Sequence, residues 1–222
     1  TSLANSASAL GTDIEFLTPE GFPSMPVPTY PGLRIALPNR SEIARRIEAV
    51  SPDAIHIATE GPIGWAVRGY WRRRNLAFTT SYTTRFPEYV SVRTGIPESI
   101  GYAVMRRFHS ASSMVMVATD SLRRELAERG FRRLSYWTRG VNTELFRPDG
   151  PAPLDLPRPI FMTMGRVAVE KNLEAFLSLD LPGSKVVVGD GPQRTELERR
   201  FPDVHFLGEK KGADLSSHLA AA

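Results

Sequence analysis

The stretch IFMTMGRVAVEKN, residues 160–172, decides the fold, and VVVGDGP at residues 186–192 repeats its plan. Each is an apolar run that ends at a glycine and gives way to helical spacing, which is typical of a strand, a turn and a helix in succession. Such a turn directs backbone N–H groups toward a phosphate. The pair therefore predicts one half of a nucleotide-diphosphate site.

The same alternation of apolar runs and helical spacing extends through the whole chain. It predicts an α/β fold with a parallel sheet covered on both faces. Ser41 and Ser121 are expected to cap two of the helices, and the proline-rich residues 19–38 and the polar, aromatic residues 83–89 to be loops. The predicted strands occupy residues 13–18, 53–58, 77–82, 114–118, 134–138, 160–164, 185–188 and 204–207.

Residues 139–159 contain the densest proline run after the early loop, as expected for a linker between domains. The sequence predicts a first domain at residues 1–148, a linker at 149–159 and a second domain at 160–222. No start signal or first strand precedes residue 13. We therefore expect the first domain to lack its first strand and the second domain, which the sequence cuts off within a helical pattern, to be truncated.

Composition excludes several classes of function. The 222 residues contain no Cys, so a disulfide framework, a zinc–thiolate site and thiolate catalysis are ruled out. No apolar run is long enough to cross a bilayer and the first residues lack a signal-peptide pattern, so a cytoplasmic location is expected. The net charge of +4 suits nucleic acid, anionic lipid or phosphorylated substrates equally.

Three residues after the first apolar run have the chemistry of a phosphate site. Gly165 permits close approach of the backbone, Arg166 offers a planar fork of donors, and Lys171 adds a compact positive charge. Together they could neutralise a diphosphate leaving group. The alternative is that Gly165 is an ordinary turn glycine and the two cations are solvated.

The second turn combines Gly189, Asp190 and Gly191 with Pro192 at the start of a helix. Alone this is a weak signal, because many turns from strand to helix use glycine. Its spacing behind the first turn raises its value, since two such turns from adjacent strands would line one crevice.

At the level of whole motifs, the chain resembles the retaining glycosyltransferases of the GT-B fold in family four, and in particular bacterial members that transfer mannose or a related sugar, often to lipid acceptors. The resemblance covers nearly the whole chain, and the five motifs occur in the order typical of the family. They are PDAIHIATEGP (52–62), SYTTRFPEY (81–89), RGVNTELFRP (139–148), GRVAVEKN (165–172) and GDGP (189–192).

The resemblance implies two Rossmann-like domains with the reaction between them, retention of configuration by front-face substitution, and no metal or cofactor. The second domain would bind a nucleotide-diphosphate sugar, with Arg166 and Lys171 on the diphosphate and the glycines near the nucleoside. The residues implied for this donor are Gly165, Arg166, Lys171, Gly189, Asp190, Gly191 and Pro192. The first domain would bind a lipid or glycan acceptor. The residues implied for the acceptor are Glu60, Gly61, Pro62, Tyr82, Arg85 and Glu88.

Three features depart from the pattern of the family. The sequence starts after the glycine-rich loop of the first domain, stops at Ala222 before the paired-glutamate motif of the second, and has Thr83 where relatives commonly carry His. A threonine hydroxyl can donate a hydrogen bond but cannot act as an imidazolium. The implied catalytic residues are Arg166, Lys171 and Thr83. We expect a fragment of a hexosyltransferase, with a catalytically incomplete module that binds acceptor, anionic lipid or a partner subunit as the alternative.

Arginine-rich segments leave a further question open. Arg68, Arg72, Arg73 and Arg74 share a predicted helix with Trp65, Tyr70 and Trp71, which predicts a solvated face or, as the alternative, an amphipathic patch at the inner face of the membrane. Six further arginines would extend such a patch if they cluster with it: Arg106, Arg107, Arg123, Arg124, Arg132 and Arg133. Nucleic acid is not an expected partner, because no recognition motif accompanies the charge. His56, inside a strand, is expected to be a core histidine.

Overall fold

The computed structural model describes residues 2–26, 34–138 and 140–222. Within them the chain forms two compact units, Thr1–Arg139 and Gly140–Ala222. The middle of the predicted loop at residues 19–38, namely residues 27–33, lies outside the described residues. Each unit has its own sheet and its own core.

The first unit is built on a four-stranded parallel sheet in the order β3-β4-β5-β6, with a separate two-stranded antiparallel ribbon of β1 and β2. Its strands are β1 (Ser24–Pro26), β2 (Arg34–Ala36), β3 (His56–Ile57), β4 (Thr79–Tyr82), β5 (Met114–Val117) and β6 (Leu134–Tyr136). Its helices are α1 (Ser2–Ser8), α2 (Arg40–Val50), α3 (Pro62–Arg73), α4 (Phe86–Thr94), α5 (Glu98–His109) and α6 (Asp120–Glu128). The parallel α/β arrangement predicted from the sequence is confirmed.

The second unit repeats the plan on a smaller scale. Its three parallel strands are β7 (Ile160–Met164), β8 (Ser184–Val188) and β9 (His205–Phe206), paired in that order. Its helices are α7 (Leu173–Leu177), α8 (Arg194–Arg200) and α9 (Gly212–Ala220), with a 3₁₀ turn at Val169–Lys171 before α7. The valines of β8 are buried, as expected for the central strand of a parallel sheet.

Residues 140–159, which include the predicted linker, belong to the second unit. Leu154 and Leu156 pack on the cluster that contains Ile160 and Val186. The hydroxyl of Ser216 in α9 donates to the carbonyl of Leu145. The compact units divide after Arg139, and the predicted domain limits at residues 148 and 159 stay predictions.

Five local predictions were wrong. No strand forms at residues 13–18, where Phe16 is 56% exposed, because no neighbouring strand among the described residues pairs with this segment. Part of the loop predicted at 19–38 is the β1–β2 ribbon, and α4 begins inside the loop predicted at 83–89. The caps lie two residues early: the side chain of Asn39, not Ser41, accepts from the N–H of Ser41 (2.9 Å), and that of Thr119, not Ser121, accepts from the N–H of Leu122 (3.2 Å).

Two hydrophobic clusters fill the first unit. One packs α2 and α3 on the sheet, and it takes in Tyr70 and Trp71. The other packs α5 and α6 on β4 and β5 through Tyr82, Tyr102, Val115 and other residues. The segments at the carboxyl ends of β3 and β4 include residues 59–62 and 83–85. These segments contain several of the residues expected at the acceptor.

Candidate functional site

The two glycine turns, residues 165–168 and 189–192, lie against each other at the carboxyl ends of β7 and β8. The N–H of Gly165 donates to the carbonyl of Val188 and the N–H of Val167 to the carbonyl of Asp190, both at 2.9 Å. A Cβ added to Gly189, whose φ is +147°, would lie 1.9 Å from the carbonyl oxygen of Gly165. Glycine is required at this position because the two backbones touch.

The backbone amides of the turn glycines have hydrogen-bond acceptors within the protein. The N–H of Gly189 donates to the carbonyl of Gly208 at 2.8 Å, and that of Gly191 to the carboxylate of Asp190 at 2.7 Å. The amide of Gly165 is engaged as well, so the amides of three turn glycines have acceptors within the protein. A sequence does not show which acceptors meet an N–H, and the donor role of these turns stays a prediction.

Asp190 holds the second turn together. One of its carboxylate oxygens accepts from Gly191, and the other pairs with Arg194 at 3.0 Å. The amide of Gly191 and, after it, the guanidinium of Arg194 hold the pKa of Asp190 below its ordinary value. Pro192 follows on the surface, two residues before α8.

The cations of the expected donor site lie on the surface of the second unit. Arg166 is exposed between Gly165 and the buried Val167. Lys171 is exposed at the end of the 3₁₀ turn, two residues before the first residue of α7. Arg166 therefore lies within the first glycine turn, and Lys171 lies in the 3₁₀ turn that follows it.

On the first unit, residues of the expected acceptor side form a charged network after β4. The guanidinium of Arg85 donates to Glu88 at 2.9 Å and to Glu125 at 2.7 Å, and these two carboxylates raise its pKa. The hydroxyl of Tyr102 donates to the carboxylate of Glu88 at 2.7 Å. Thr83, directly after β4, is exposed. The structure therefore brings Arg85 and Glu88 together in one network, and their role at the acceptor stays a prediction.

Tyr82 lies beneath this network with 1% of its surface exposed. Burial raises the pKa of Tyr82 to about 12, and the charges of Glu88 and Glu60 act in the same direction. The tyrosine is therefore neutral at physiological pH, and its ring packs into the core beside Tyr102. Tyr102 and Glu125 were not identified from the sequence, although helical spacing places Tyr102 on the inward stripe of α5 with Met105.

Glu60, like Tyr82, is a buried member of the expected acceptor residues. Its side chain is 1% exposed and points into the interior, where it meets Nε2 of His109 at 3.1 Å. Gly61 caps α3 and Pro62 is the first residue of that helix. No local pattern indicates this pair, because 49 residues separate its members.

His56 was predicted to be a core histidine, but it is exposed and hydrogen-bonded. It is exposed on β3, with its ring nitrogens 2.8 Å from the hydroxyl of Thr79 and 2.7 Å from that of Ser81. Partial burial of the ring lowers its pKa. The prediction of a core histidine was wrong because this face of the short β3 strand is open.

The aromatic residues expected beside the arginines of α3 are mostly buried rather than on the surface. Tyr70 and Trp71 are buried in the core, and Arg68 is buried with its guanidinium donating to the carbonyls of Phe108 and Arg107. Arg74 pairs with Glu48 at 2.9 Å. Within residues 2–26, 34–138 and 140–222, no helix is long and apolar enough to cross a membrane, and no group of three or more His, Asp or Glu could hold a metal ion.

Comparison of the fold with solved structures defines its class. Sucrose-phosphate synthase of Thermosynechococcus elongatus superposes with a TM-score of 0.64 at 17% identity, over 82% of this chain and 52% of that one. The HepE protein of Anabaena, solved in complex with UDP, gives 0.53 at 12% identity, over 81% and 54%. The chain has the fold of the GT-B glycosyltransferases.

The sequence then identifies the family. The model of glycosyltransferase family 4 matches residues 3–145, and the chain belongs to that family. It is 26% identical over 219 residues to the sulfoquinovosyl transferase of Arabidopsis thaliana, covering 90% of this chain and 43% of that protein. It is also 26% identical over 209 residues to the GDP-mannose-dependent alpha-mannosyltransferase of Mycobacterium tuberculosis, covering 90% and 55%. The chain spans about half the length of these relatives.

Proposed function

We propose that this protein transfers a hexose such as mannose from a nucleotide-diphosphate sugar to a hydroxyl of a lipid or glycan acceptor, with retention of configuration. Membership of glycosyltransferase family 4 supports the reaction class. Relatives named GDP-mannose-dependent alpha-mannosyltransferase support the choice of mannose and of a guanine nucleotide. The HepE complex supports a nucleotide site of this kind in the fold.

The observation that carries the proposal is the hydrogen-bonded pair of glycine turns, with the exposed Arg166 in the first turn and the exposed Lys171 three residues after it. The bond between the sugar carbon and the diphosphate breaks as the bond to the acceptor oxygen forms, and the proton of the acceptor hydroxyl passes to the departing phosphate. Negative charge therefore develops on the diphosphate. Fixed cations beside it stabilise that charge more than they stabilise the intact donor, which lowers the barrier.

Because three of the glycine amides donate within the protein, side chains rather than these amides would neutralise the diphosphate in this proposal. Arg166 would bind two phosphate oxygens through its planar fork, and Lys171 would act as a point charge. Gly165, Gly189 and Gly191 would hold the binding segment in place, Asp190 would tie the second turn to α8, and Pro192 would lead into it.

The test is titration calorimetry with GDP and UDP. We expect Arg166→Ala and Lys171→Ala each to weaken nucleotide binding by about tenfold to a hundredfold, because each removes a charged hydrogen bond to phosphate. Matched controls are Arg199→Ala and Lys211→Ala, which remove exposed cations elsewhere on the same unit. Saturable binding that neither Arg166→Ala nor Lys171→Ala weakens would contradict the donor site and favour a binding module without a donor.

The acceptor side is proposed for the first unit, around Thr83 and the network of Arg85 and Glu88. Thr83 is exposed at the carboxyl end of β4, where ligands of parallel sheets collect. Thr83→Ala is expected to lower the rate of transfer by about tenfold at unchanged nucleotide affinity, because it removes one hydroxyl from the reacting side. An equal loss of nucleotide affinity would place Thr83 elsewhere.

A further inference from the structure

A buried pair of ionisable side chains, Glu60 and His109, connects the turn after β3 to the end of α5. Glu60 is 6% exposed and His109 is 2% exposed. The distance from Nε2 of His109 to the nearer carboxylate oxygen of Glu60 is 3.1 Å. Neither side chain has a function assigned by the proposed transfer reaction.

The hydrogens around His109 can be counted. The hydroxyl of Ser112 donates to the backbone carbonyl of His109 at 2.8 Å, and the hydroxyl of Thr80 donates to the oxygen of Ser112 at 3.2 Å. Each hydroxyl has a single hydrogen, so both are used. With Thr80 donating to Ser112, the remaining contact, 2.9 Å from Nδ1 of His109 to the oxygen of Thr80, has its hydrogen on Nδ1, and we assign this tautomer from those partners.

With Nδ1 protonated, the contact between Nε2 and Glu60 needs a hydrogen of its own. A bare imidazole nitrogen facing a bare carboxylate oxygen would bring two lone pairs together in the interior, where an uncompensated charge is costly. One proton between Nε2 and the carboxylate separates the two lone pairs by a hydrogen bond. It also leaves the pair with no net charge. The second carboxylate oxygen of Glu60 is buried without a hydrogen-bond partner among the described residues, which increases the cost of a full negative charge there.

The surroundings of the pair supply no alternative partner within the described residues. The rings of Phe108, Tyr82 and Phe131 lie 5.0, 5.8 and 5.9 Å from that of His109. Among these neighbours Tyr82 is the titratable one, and it is neutral at physiological pH because its pKa is about 12. Glu88 lies beyond Tyr82 and is engaged with Arg85 and Tyr102.

The segment that Glu60 anchors is also fixed from its other side. A Cβ added to Gly64 in the first turn of α3 would lie 2.1 Å from the carbonyl oxygen of Thr59. Residues 59–62 are thus clamped between the first turn of α3 and the buried histidine of α5. The position of this turn depends on a side chain that reaches inward, away from solvent.

We propose that Glu60 and His109 share one proton as a neutral buried pair and that Glu60 is a positioning residue, which fixes residues 59–62 without touching the acceptor. The positioning role rests on the proposed transfer function, whereas the shared proton does not. This assignment differs from the direct acceptor contact that the sequence suggested for Glu60.

The shared proton is tested by NMR of the histidine side chains labelled with ¹⁵N at pH 7. We expect Nδ1 of His109 to carry a hydrogen in the wild-type protein and in Glu60→Gln, where the amide of Gln donates to Nε2. The signal is assigned by its loss in His109→Gln. A wild-type spectrum in which Nδ1 of His109 lacks a hydrogen would overturn the proposal, whether or not the protein is active.

The positioning role is tested by comparing Glu60→Gln with Glu60→Ala in sugar transfer. Glu60→Gln is expected to keep the acceptor KM within about threefold, whereas Glu60→Ala raises it on the order of tenfold to a hundredfold by releasing the turn, with nucleotide affinity unchanged in both. Equal loss in the two variants would identify a direct charge contact and overturn the role. If no nucleotide binds even the wild type, the proposed function fails while the NMR result stands on its own.

Discussion

The turn after β3 and the paired glycine turns of the second unit are held in place by opposite means. Residues 59–62 are anchored by a side chain, Glu60, which is buried against His109. The glycine turns are held by hydrogen bonds between backbones and by the absence of side chains where they touch. The position of residues 59–62 therefore depends on His109, a core residue distant in sequence. The position of the glycine turns depends on their own glycines.

The largest effect is expected at the glycine turns. Gly189→Ala places a methyl group 1.9 Å from the carbonyl oxygen of Gly165, so the turns must separate and lose their mutual hydrogen bonds. We expect a loss of about 5 kcal/mol in the free energy of unfolding of the second unit, from overpacking and broken hydrogen bonds together. Chemical denaturation together with hydrogen exchange of the β8 amides measures it.

Gly165→Ala is the matched control for that variant. Its φ of +143° is also unfavourable for alanine, but the added Cβ would meet no atom within 4 Å. The expected loss is about 1–2 kcal/mol, from backbone strain alone. Equal losses in the two variants would show that conformation, and not contact between the turns, decides the requirement for glycine.

The next largest effect is expected at the side-chain anchor. His109→Ala leaves Glu60 buried without its partner, and breaking such a pair costs about 3 kcal/mol. The double variant Glu60→Gln with His109→Ala should recover part of this loss, because no charge then remains in the interior. Thermal unfolding of the three proteins measures the recovery, and a double variant no more stable than His109→Ala would weaken the comparison between the two turns.

The smallest effect is a pH dependence of the glycine turn at Asp190. Because the folded protein holds the pKa of this carboxyl below the ordinary value of 3.8, its contribution to stability is complete above that value and is lost as the pH falls through the folded pKa. Asp190→Asn should therefore flatten the acid limb of the stability curve slightly. Unfolding midpoints measured between pH 2 and pH 6 provide the check, with Asp203→Asn, an exposed carboxylate on the same unit, as control. A steeper acid limb in Asp190→Asn would contradict the assignment.

Much of the architecture could be predicted from hydrophobic pattern and glycine position. The alternation of apolar runs and helical spacing identified seven of the nine strands in the part of the chain that the structure describes, because a buried parallel strand needs a continuous apolar run. It failed at residues 13–18, where a strand-like pattern has no neighbour to pair with among the described residues, and at the short strands β1 and β2, which lie among prolines. Pairing between strands is a long-range property that a local pattern does not contain.

The residues of the candidate site also fall into those that a local pattern identified and those that it missed. The motif spacing identified Gly165, Arg166 and Lys171, and Gly189, whose backbone the structure places against Gly165. It also grouped Arg85 with Glu88, which are three residues apart. It missed Tyr102, Glu125 and His109, because each joins its partner from a different helix.

The amino-acid sequence specifies which residues are available: the glycines that let two turns touch, the cations that follow them, and the apolar runs that build two parallel sheets. How those residues are used depends on the folded structure. It directed three glycine amides to carbonyl and carboxylate acceptors within the protein rather than to solvent, and it turned Glu60 inward to His109 rather than outward. The physical reason is that hydrogen-bond partners are chosen by distance in space, and 49 residues of chain separate Glu60 from His109.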